Sequence, residues 1–257
     1  MKTSIIISTY NEEKTISDVI ISCCMHNPDS EIIVVDDGSV DNTEKKLTAL
    51  SKNYDFRYEK LKQNHGKSWA MVHGVEVSTG DIILFFDADL SNIKKEHFDV
   101  LLKPLRKNEA DIVLGQPTDT LINYQINPFK SFSGQRALLK KDIVPILNDI
   151  RDIRFGVEMY INLYYQAQGK RFKYVLLQEL KHPTKYHKIA PLKATKEFIK
   201  EGHEIALTLV KNTHLITQRI DMQLNRANDN AIKKINEIQD DINNRLKWSK
   251  KTVQKND

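Results

Sequence analysis

Two carboxylates, Asp87 and Asp89, come directly after the apolar run IILFF in the stretch FFDADLSN. Residues two apart in an extended segment point to the same side, so these side chains can converge, with Ala88 turned aside. Two carboxylates that lie close together raise each other's pKa unless they share a cation. Oxygen ligands of this kind suit Mg²⁺ or Mn²⁺, which take one or two carboxylates together with phosphate oxygens of a substrate. The pair therefore predicts a divalent metal site that would act as a Lewis acid on a diphosphate leaving group.

Two further polar clusters follow apolar runs of the same kind. They are Thr9, Tyr10, Asn11 and Glu12 after SIIIS, and Asp36 and Asp37 after EIIVV. Each cluster alone is compatible with an ordinary turn or helix cap. Ligands of open α/β sheets bind beyond the carboxyl ends of the strands, so three clusters at such ends predict one shared binding crevice.

The elements that position these clusters are visible as short apolar runs that alternate with helical patterns. The runs are SIIIST, EIIVVDD, DIILFFD and ADIVLG, with FRYEKL as a further strand. Unbroken runs of this length are typical of parallel strands covered on both faces. Helical patterns near 12–26, 41–53, 67–79 and 94–108 supply the crossovers. We expect an α/β fold with a Rossmann-like, mostly parallel sheet and flanking helices.

The composition is that of an ordinary globular protein. The 257 residues are 40% hydrophobic and 28% charged, and the chain is long enough to bury a core. No apolar run approaches the roughly 20 residues of a membrane-spanning helix, and the start MKTSIIISTYNEE has too short an apolar stretch for a secretory leader. Adjacent Cys23 and Cys24 indicate a reducing compartment rather than a zinc site or a disulfide. These features favour a cytoplasmic protein.

Basic residues are concentrated near the carboxyl terminus. Residues 181–257 carry 16 Lys and Arg against 9 Asp and Glu, whereas residues 1–180 are net negative. An apolar stripe recurs at spacings of three and four, at Ile235, Ile238, Ile242 and Leu246. The stripe could pack on the rest of the chain, pair between the subunits of a homo-oligomer, or lie on an anionic membrane with Trp248 at the interface. No nucleic acid partner is indicated, since Trp248 alone does not supply aromatics interleaved with the basic residues.

In this order and spacing the motifs resemble those of the family 2 glycosyltransferases, which have the GT-A fold. IISTYNEE is similar to the nucleotide-binding opening, IIVVDDGSVDNT to the second strand and turn, NHGKSWAMVHGVEVSTGD to the helix after it, and FFDADLSN to the Asp-x-Asp metal motif. The resemblance covers residues 4 to about 92 closely and continues more loosely to about 187. It implies a transferase that takes a sugar from a nucleotide-sugar donor, most simply UDP-linked, with Mg²⁺ or Mn²⁺, in cell-envelope or polysaccharide synthesis.

The resemblance also implies roles for individual residues. Asp36 or Asp37 would accept a hydrogen bond from the base, such as the N3–H of uracil. Other nucleotide contacts would come from Thr9, Tyr10, Asn11, Glu12 and Ala88. Lys67 in HGKS is either a phosphate contact or a solvated lysine at a helix start.

The metal would be held from two parts of the chain. Asp87 would face both ribose and metal, and Asp89 would ligate the metal directly. A third ligand after the last core strand would be His182, with His187 as the second choice. A histidine at either position is equally compatible with a structural or solvated role.

Past residue 115 the sequence becomes less regular, and we expect acceptor loops to replace the sheet there. Gln135 and Arg136 in SFSGQRALL and Glu158 in RFGVEMYINLYYQAQG resemble acceptor-side motifs of polyprenyl-phosphate and phosphoglycerate-type glycosyltransferases. A hydroxyl acceptor needs a general base, for which Glu158 is the best carboxylate. A phosphate acceptor is already an anionic nucleophile and needs a positioning cation, for which Arg136 is suited. The alternatives are a solvated arginine at a helix start and a glutamate that stabilises a helix N-terminus.

We expect a GT-A catalytic domain over residues 1–190, divided into a nucleotide-sugar half (1–92) and an acceptor half (93–190). A basic amphipathic helical extension (191–257) would bring the enzyme to a lipid-linked acceptor, such as polyprenyl phosphate, at the inner face of the cell membrane. One alternative is a non-catalytic GT-A-like protein that binds a partner or a membrane surface. Another is a sugar-phosphate nucleotidyltransferase, which usually begins with a glycine-rich loop bearing an arginine, and ISTYNEE has neither.

Overall fold

The structure, a computed structural model, describes residues 1–118, 134–153, 156–181 and 211–253. Within these ranges seven strands form one sheet: β1 (Thr3–Thr9), β2 (Glu31–Asp36), β3 (Arg57–Lys60), β4 (Ile82–Phe85), β5 (Ile112–Pro117), β6 (Arg136–Leu139) and β7 (Phe172–Leu177). Their order across the sheet is β3-β2-β1-β4-β6-β5-β7. β6 runs antiparallel to both of its neighbours, and the other strand pairs are parallel. The predicted mostly parallel α/β sheet is confirmed.

The helices that the structure describes connect and cover these strands. They are α1 (Ile16–His26), α2 (Thr43–Leu50), α3 (Lys67–Val77), α4 (Lys95–Arg106), α5 (Lys140–Ile143), α6 (Leu147–Ile150), α7 (Val157–Ala167) and α8 (Thr213–Val253), with a 3₁₀ turn at Val144–Ile146. The first four lie within the segments that the sequence pattern predicts as crossovers.

Past residue 115, β6 contradicts the expectation that loops replace the sheet, whereas β7 lies where the last core strand before His182 is expected. β6 is only four residues long and begins with a buried arginine. β7 forms an edge of the sheet, and most of its residues are exposed or half-buried. β6 lacks the unbroken apolar run of a strand covered on both faces, which is why the pattern does not reveal it.

The core lies on both faces of the sheet. Ile5 and Ile7 of β1 belong to a cluster with residues of α1, α2 and α4, whereas Ile6 belongs to a second cluster with residues of α3, α6 and α7. All three isoleucines are at most 1% exposed. This alternation fixes which side chains at the carboxyl edge face α3 and α7.

The long helix α8 contacts the rest of the chain near its beginning. Leu215 is buried in the α7 cluster, and Arg226 donates a 2.5 Å hydrogen bond to the carbonyl of Gly169. Further along, Ile232 is 49% exposed. Among the described residues, no helix has the length and apolarity needed to cross a membrane. The predicted boundary near residue 190 stays a prediction, since it falls outside the described ranges.

Candidate active site

The three polar clusters lie at neighbouring carboxyl ends of the sheet. β1 pairs with β2 through Thr9 and Asp36, and with β4 through Ile6 and Phe85. The residues that follow these strands therefore open onto one edge. This edge is the place where α/β folds bind their ligands.

Asp37 fixes the start of α3. Its two carboxylate oxygens accept hydrogen bonds from the backbone N–H groups of His65 and Gly66, at 2.8 and 2.7 Å. Burial raises the pKa of Asp37 even though these N–H groups act to lower it. Gly66 has a φ of 104°, a conformation that favours glycine. Asp37 thereby holds the turn that places the next residue, Lys67, at the first position of α3.

Asp36 is fully buried and also has internal partners. One oxygen accepts the Ser39 N–H at 2.8 Å, and the other accepts the Tyr58 hydroxyl at 3.0 Å. Burial together with the nearby Asp36 charge raises the pKa of Tyr58, which keeps that hydroxyl protonated as a donor. Each carboxylate oxygen of Asp36 retains a second lone pair, so contact with a base N–H remains compatible with the geometry.

The loop after β1 is tied to the loop after β2. Asn11 has a left-handed φ of 57°, and its side-chain oxygen accepts the Val40 N–H at 2.8 Å. The Glu12 N–H donates to the Thr43 hydroxyl at 3.0 Å. Asn11 and Glu12 thus support the shape of the crevice wall, a contribution that the sequence analysis did not identify.

Thr9, Tyr10 and Ala88 line the same region in different ways. Thr9 is 2% exposed, and its hydroxyl has no hydrogen-bond partner within the described ranges. Tyr10 is 43% exposed, which leaves its ring available to a ligand. The carbonyl of Ala88 accepts a 2.9 Å hydrogen bond from the Thr15 hydroxyl, which joins the metal-motif loop to the start of α1.

A group of charged and polar side chains, here called the Lys67 cluster, comprises Lys67, Asp87, Gln135 and Glu158. The Lys67 ammonium lies 2.9 Å from Asp87 Oδ1 and 3.0 Å from Glu158 Oε1. The Gln135 amide donates to Asp87 Oδ2 at 2.6 Å. The side chains of Asp87 and Glu158 are only 15% and 14% exposed, whereas that of Lys67 is 40% exposed. Both oxygens of Asp87 therefore have internal donors.

The electrostatics of this cluster fix its charges at neutral pH. Burial alone would lower the pKa of Lys67, but Asp87 and Glu158 outweigh burial and raise it. Burial alone would raise the pKa of Glu158, but the charges of Lys67 and Arg136 outweigh burial and lower it. Lys67 is a cation at the N-terminus of α3, a position that the helix dipole disfavours, and the two carboxylates compensate for this. Lys67 is thus positively charged and Glu158 negatively charged.

Arg136 lies beneath the cluster and is completely buried. Its guanidinium donates to the Glu158 carbonyl at 3.2 Å and to the Asn162 side-chain oxygen at 3.4 Å. It is neither solvated nor at a helix start, because it opens β6 and faces α7. Burial lowers the pKa of Arg136, and Glu158 and Asp87 partly offset this effect. The guanidinium supports the first turns of α7 and with them the position of Glu158.

Gly134 was missed by the sequence analysis. A Cβ atom at this position would lie 2.1 Å from Asp87 Oδ2, well inside van der Waals contact. The Asp87 carboxylate therefore occupies the space that any other residue at position 134 would need. In the sequence, the glycine directly before QRALL could have indicated a position where another group approaches the backbone closely.

The residues at this edge fit a divalent ion. The Asp87 carboxylate already contacts one cation, the Lys67 ammonium, so its environment suits a positive charge. Asp89 is half-buried and lies two residues further along the chain. Carboxylate oxygens are suitable ligands for Mg²⁺ and Mn²⁺. Among the described residues, no three His, Cys, Asp or Glu side chains form a metal-binding group. The predicted ligands His182 and His187 lie outside those residues, but Lys181 pairs with Ser91 through two 3.0 Å backbone hydrogen bonds.

Comparison with known proteins identifies the family. The sequence model of the family described as Glycosyl transferase family 2 matches residues 4–155, which are more than half of the chain. The chain belongs to this family. The resemblance drawn from the motifs of the sequence is thereby confirmed.

Two of the curated relatives that this chain resembles are named for lipid phosphates. Dolichol-phosphate mannosyltransferase of Pyrococcus furiosus is 31% identical over 156 residues, which are 59% of this chain and 44% of the relative. Undecaprenyl-phosphate 4-deoxy-4-formamido-L-arabinose transferase of Yersinia pestis is 32% identical over 141 residues, which are 49% of this chain and 43% of the relative. The chain thus spans less than half the length of these curated relatives.

A solved structure shares the fold. Glucosyl-3-phosphoglycerate synthase from Mycobacterium tuberculosis, in complex with Mn²⁺, UDP and phosphoglyceric acid, superposes with a TM-score of 0.64 at 21% identity. The match covers 82% of this chain and 78% of that one. It agrees with the GT-A-like arrangement of a mostly parallel sheet and flanking helices.

Proposed function

We propose that this protein is a metal-dependent glycosyltransferase that moves a sugar from a UDP-linked donor to a lipid-linked phosphate. The observation that carries the proposal is the meeting of Asp87, Lys67 and Glu158 at the carboxyl edge of the sheet, in a chain of glycosyl transferase family 2. The complex of the M. tuberculosis enzyme with UDP and Mn²⁺ supports the choice of donor and ion. Two relatives that are named for dolichol phosphate and undecaprenyl phosphate support the choice of acceptor.

The donor would bind across the ends of β1, β2 and β4. Asp36 would accept the base N–H, Tyr10 would cover the base, and Thr9 would contribute its hydroxyl, which has no partner among the described residues. Asp87 and Asp89 would hold Mg²⁺ or Mn²⁺, with His182 as a further ligand. When bound, this ion would neutralise charge on the diphosphate as the sugar leaves it.

Lys67 would contact the diphosphate. Its side chain reaches into the crevice from the first residue of α3 and is 40% exposed, so the ammonium is accessible to a ligand in the crevice. In the absence of donor it offsets part of the charge of Asp87 and Glu158. The same group can therefore serve the free and the bound site.

The lowered pKa of Glu158 favours a phosphate acceptor over a hydroxyl acceptor. A general base works best with a pKa near the operating pH, whereas the pKa of Glu158 is lowered. A phosphate oxygen is already anionic and needs no proton removed. Glu158 would then orient Lys67, and Arg136 would hold Glu158 in place from below.

The carboxyl-terminal helix would bring the enzyme to its acceptor. The described part of α8 beyond Arg226 is exposed, and residues 245–251 of this helix contain only basic charges. Such a segment suits contact with anionic lipid at the inner, cytoplasmic face of the membrane. Flotation with anionic liposomes should carry the full chain, whereas a chain that ends at residue 229 should stay in the lower fraction. Equal behaviour of the two chains would remove the membrane role.

The catalytic proposal is tested with a panel of UDP- and GDP-sugars, Mn²⁺ and polyprenyl phosphate, with release of nucleoside diphosphate as the signal. We expect one UDP-sugar to be consumed, and we expect D89A to abolish turnover without a change in the melting temperature. D99A, on the exposed side of α4, is the matched control and should behave as wild type. Turnover by D89A, or no metal-dependent release from any donor, would refute the proposal. Preferential transfer to polyprenol would instead restore the role of Glu158 as a base.

A further inference from the structure

Four residues at the carboxyl edge of the sheet form one row, and the pairing of the residues just before them identifies this row. Phe85 of β4 pairs with Ile6 of β1 and with Arg136 of β6. Arg136 pairs in turn with Leu114 of β5. Two residues further toward the carboxyl edge, the same register aligns Ser8, Asp87, Gly134 and Gln116. Paired positions on neighbouring strands carry their side chains on the same face, so this row lies on the face that α3 and α7 cover.

Direct contacts agree with this register. The space above Gly134 is occupied by the Asp87 carboxylate, as the 2.1 Å approach to a Cβ at position 134 shows. Ser8, Asp87 and Gly134 also line one cavity together with Lys67. These three members of the row are therefore part of the crevice that contains the Lys67 cluster, and the strand register places Gln116 next to Gly134.

Among the residues that the structure describes, the two outer members of the row have polar groups without partners. Gln116 is 3% exposed, and neither its amide oxygen nor its amide nitrogen has a hydrogen-bond partner among the residues that the structure describes. The hydroxyl of Ser8 is also buried and has no hydrogen-bond partner among the described residues. Buried polar groups in folded proteins are nearly always paired, because an unpaired one loses its hydration without compensation. Two such groups on either side of Asp87 indicate that a ligand supplies the missing partners.

The position of Gln116 indicates which part of a ligand it meets. Ser8 lies on β1, beside the proposed nucleotide side of the crevice, whereas Gln116 lies two strands beyond Asp87 on β5. Gly134 places no side chain between Asp87 and Gln116, and paired Cα atoms of antiparallel strands are only about 5 Å apart. An amide is neutral and combines a donor with an acceptor, which matches sugar hydroxyls better than phosphate oxygens.

We propose that Gln116 binds the transferred sugar, its amide donating to one hydroxyl group and accepting from another, and so determines which sugar is transferred. The proposal rests on the proposed function and adds a specificity residue to it. Ser8 contributes its hydroxyl at the diphosphate end of the same row. A sugar bound in this way lies beside the Asp87 carboxylate, on the side toward β5.

The first test is the stability of Q116M without any ligand. Methionine has a similar length, cannot donate a hydrogen bond and accepts one only weakly, so it removes the amide while keeping the volume filled. The melting temperature should stay equal or rise by a few degrees, at roughly 2–4 °C for each kcal/mol in a chain of this size. A fall of several degrees would show that Gln116 has a structural partner, and would overturn the proposal. Q218M, on an exposed part of α8, is the matched control.

The second test separates sugar binding from nucleotide binding. In Q116M the affinity for UDP with Mn²⁺ should stay within about twofold of wild type, while kcat/KM for the preferred UDP-sugar should fall about 10- to 100-fold. Deoxy analogues of that donor identify the hydroxyl group. The analogue that lacks it should be a poor substrate for wild type, and Q116M should no longer distinguish it from the parent sugar.

The outcomes distinguish this proposal from the proposed function. If wild type neither binds UDP with Mn²⁺ nor consumes a nucleotide sugar, the proposed function fails and the inference fails with it. If wild type is active and Q116M matches it in kcat/KM and in discrimination among deoxy donors, only the role of Gln116 is refuted.

Discussion

Replacing Lys67 with methionine removes the cation that Asp87 and Glu158 share. At 2.9 Å, a pair of unit charges interacts by about 1.4 kcal/mol at the dielectric constant of water and by about 6 kcal/mol at an effective value of 20. The cost of burying charge offsets part of this attraction, and the Lys67 side chain is 40% exposed. We therefore expect a net loss of roughly 1–3 kcal/mol in the free energy of unfolding, or about 3–10 °C in melting temperature.

The decisive expectation for K67M concerns the metal. The ammonium and a divalent ion compete for the carboxylate of Asp87, so without nucleotide the affinity for Mn²⁺ should rise, by about tenfold for each 1.4 kcal/mol of competition removed. Turnover of the proposed UDP-linked donor should fall, because its diphosphate would lose the proposed contact with Lys67. Addition of Mn²⁺ should raise the melting temperature of K67M more than that of wild type.

Calorimetric titration with Mn²⁺, thermal unfolding with and without Mn²⁺, and donor turnover measure these three effects. K45M is the control, since Lys45 lies exposed on α2 and the same substitution there should change none of them. General damage to the fold would lower both metal affinity and turnover. Weaker Mn²⁺ binding by a folded K67M would refute the idea that Lys67 and the ion compete for Asp87.

Three further predictions use the same contacts. G134A should keep its melting temperature within a few degrees but lose about 10- to 100-fold in turnover, because the new Cβ displaces the Asp87 carboxylate; wild-type kcat/KM would contradict this. D37N should lower the free energy of unfolding by about 1–3 kcal/mol in urea titrations, since one acceptor of the backbone N–H groups before α3 becomes a donor; an unchanged midpoint would contradict it. Folding lowers the pKa of Glu158 from 4.5, so its contribution to stability is present above pH 4.5 and is lost as pH falls through the folded-state pKa. The difference in melting temperature between wild type and E158Q should therefore be constant from pH 5 to 8 and shrink in more acidic buffer; a difference that grows in acid would contradict the shift.

The sequence predicts the first half of the sheet well because burial on both faces leaves a direct pattern. The runs that become β1, β2, β4 and β5 each contain an unbroken stretch of buried apolar residues, and a helical segment follows each of the first three. The order of these motifs also sufficed to identify the family. The strand that escaped prediction, β6, is only four residues long and begins with a buried arginine, so it leaves no apolar pattern of its own.

The sequence could place the candidate site but not the partners within it. Lys67 and Glu158 are 91 positions apart, and no local pattern links a lysine at one helix start to a glutamate at another. Asp37 was expected to face a ligand, yet both of its oxygens hold backbone N–H groups from residues far along the chain. Arg136 was considered as a surface cation, but the helix that packs over it comes from residues that follow it in the chain. Contacts of this kind depend on the packing of complete elements.

Asp87 and Gln116 differ in how each would bind its ligand, a metal ion at Asp87 and a sugar at Gln116. Asp87 is a charged group with donors on both oxygens, so the chain tolerates it in the folded state before any metal is present. An ion competes with the Lys67 ammonium for that carboxylate, which weakens metal binding in the absence of nucleotide and links it to the arrival of a diphosphate that would engage Lys67. Gln116 is neutral, and its amide has no partner among the described residues, so a ligand gains both hydrogen bonds without displacing any of those residues. Ion and nucleotide should therefore bind cooperatively, whereas recognition of the sugar by Gln116 should add to that binding independently.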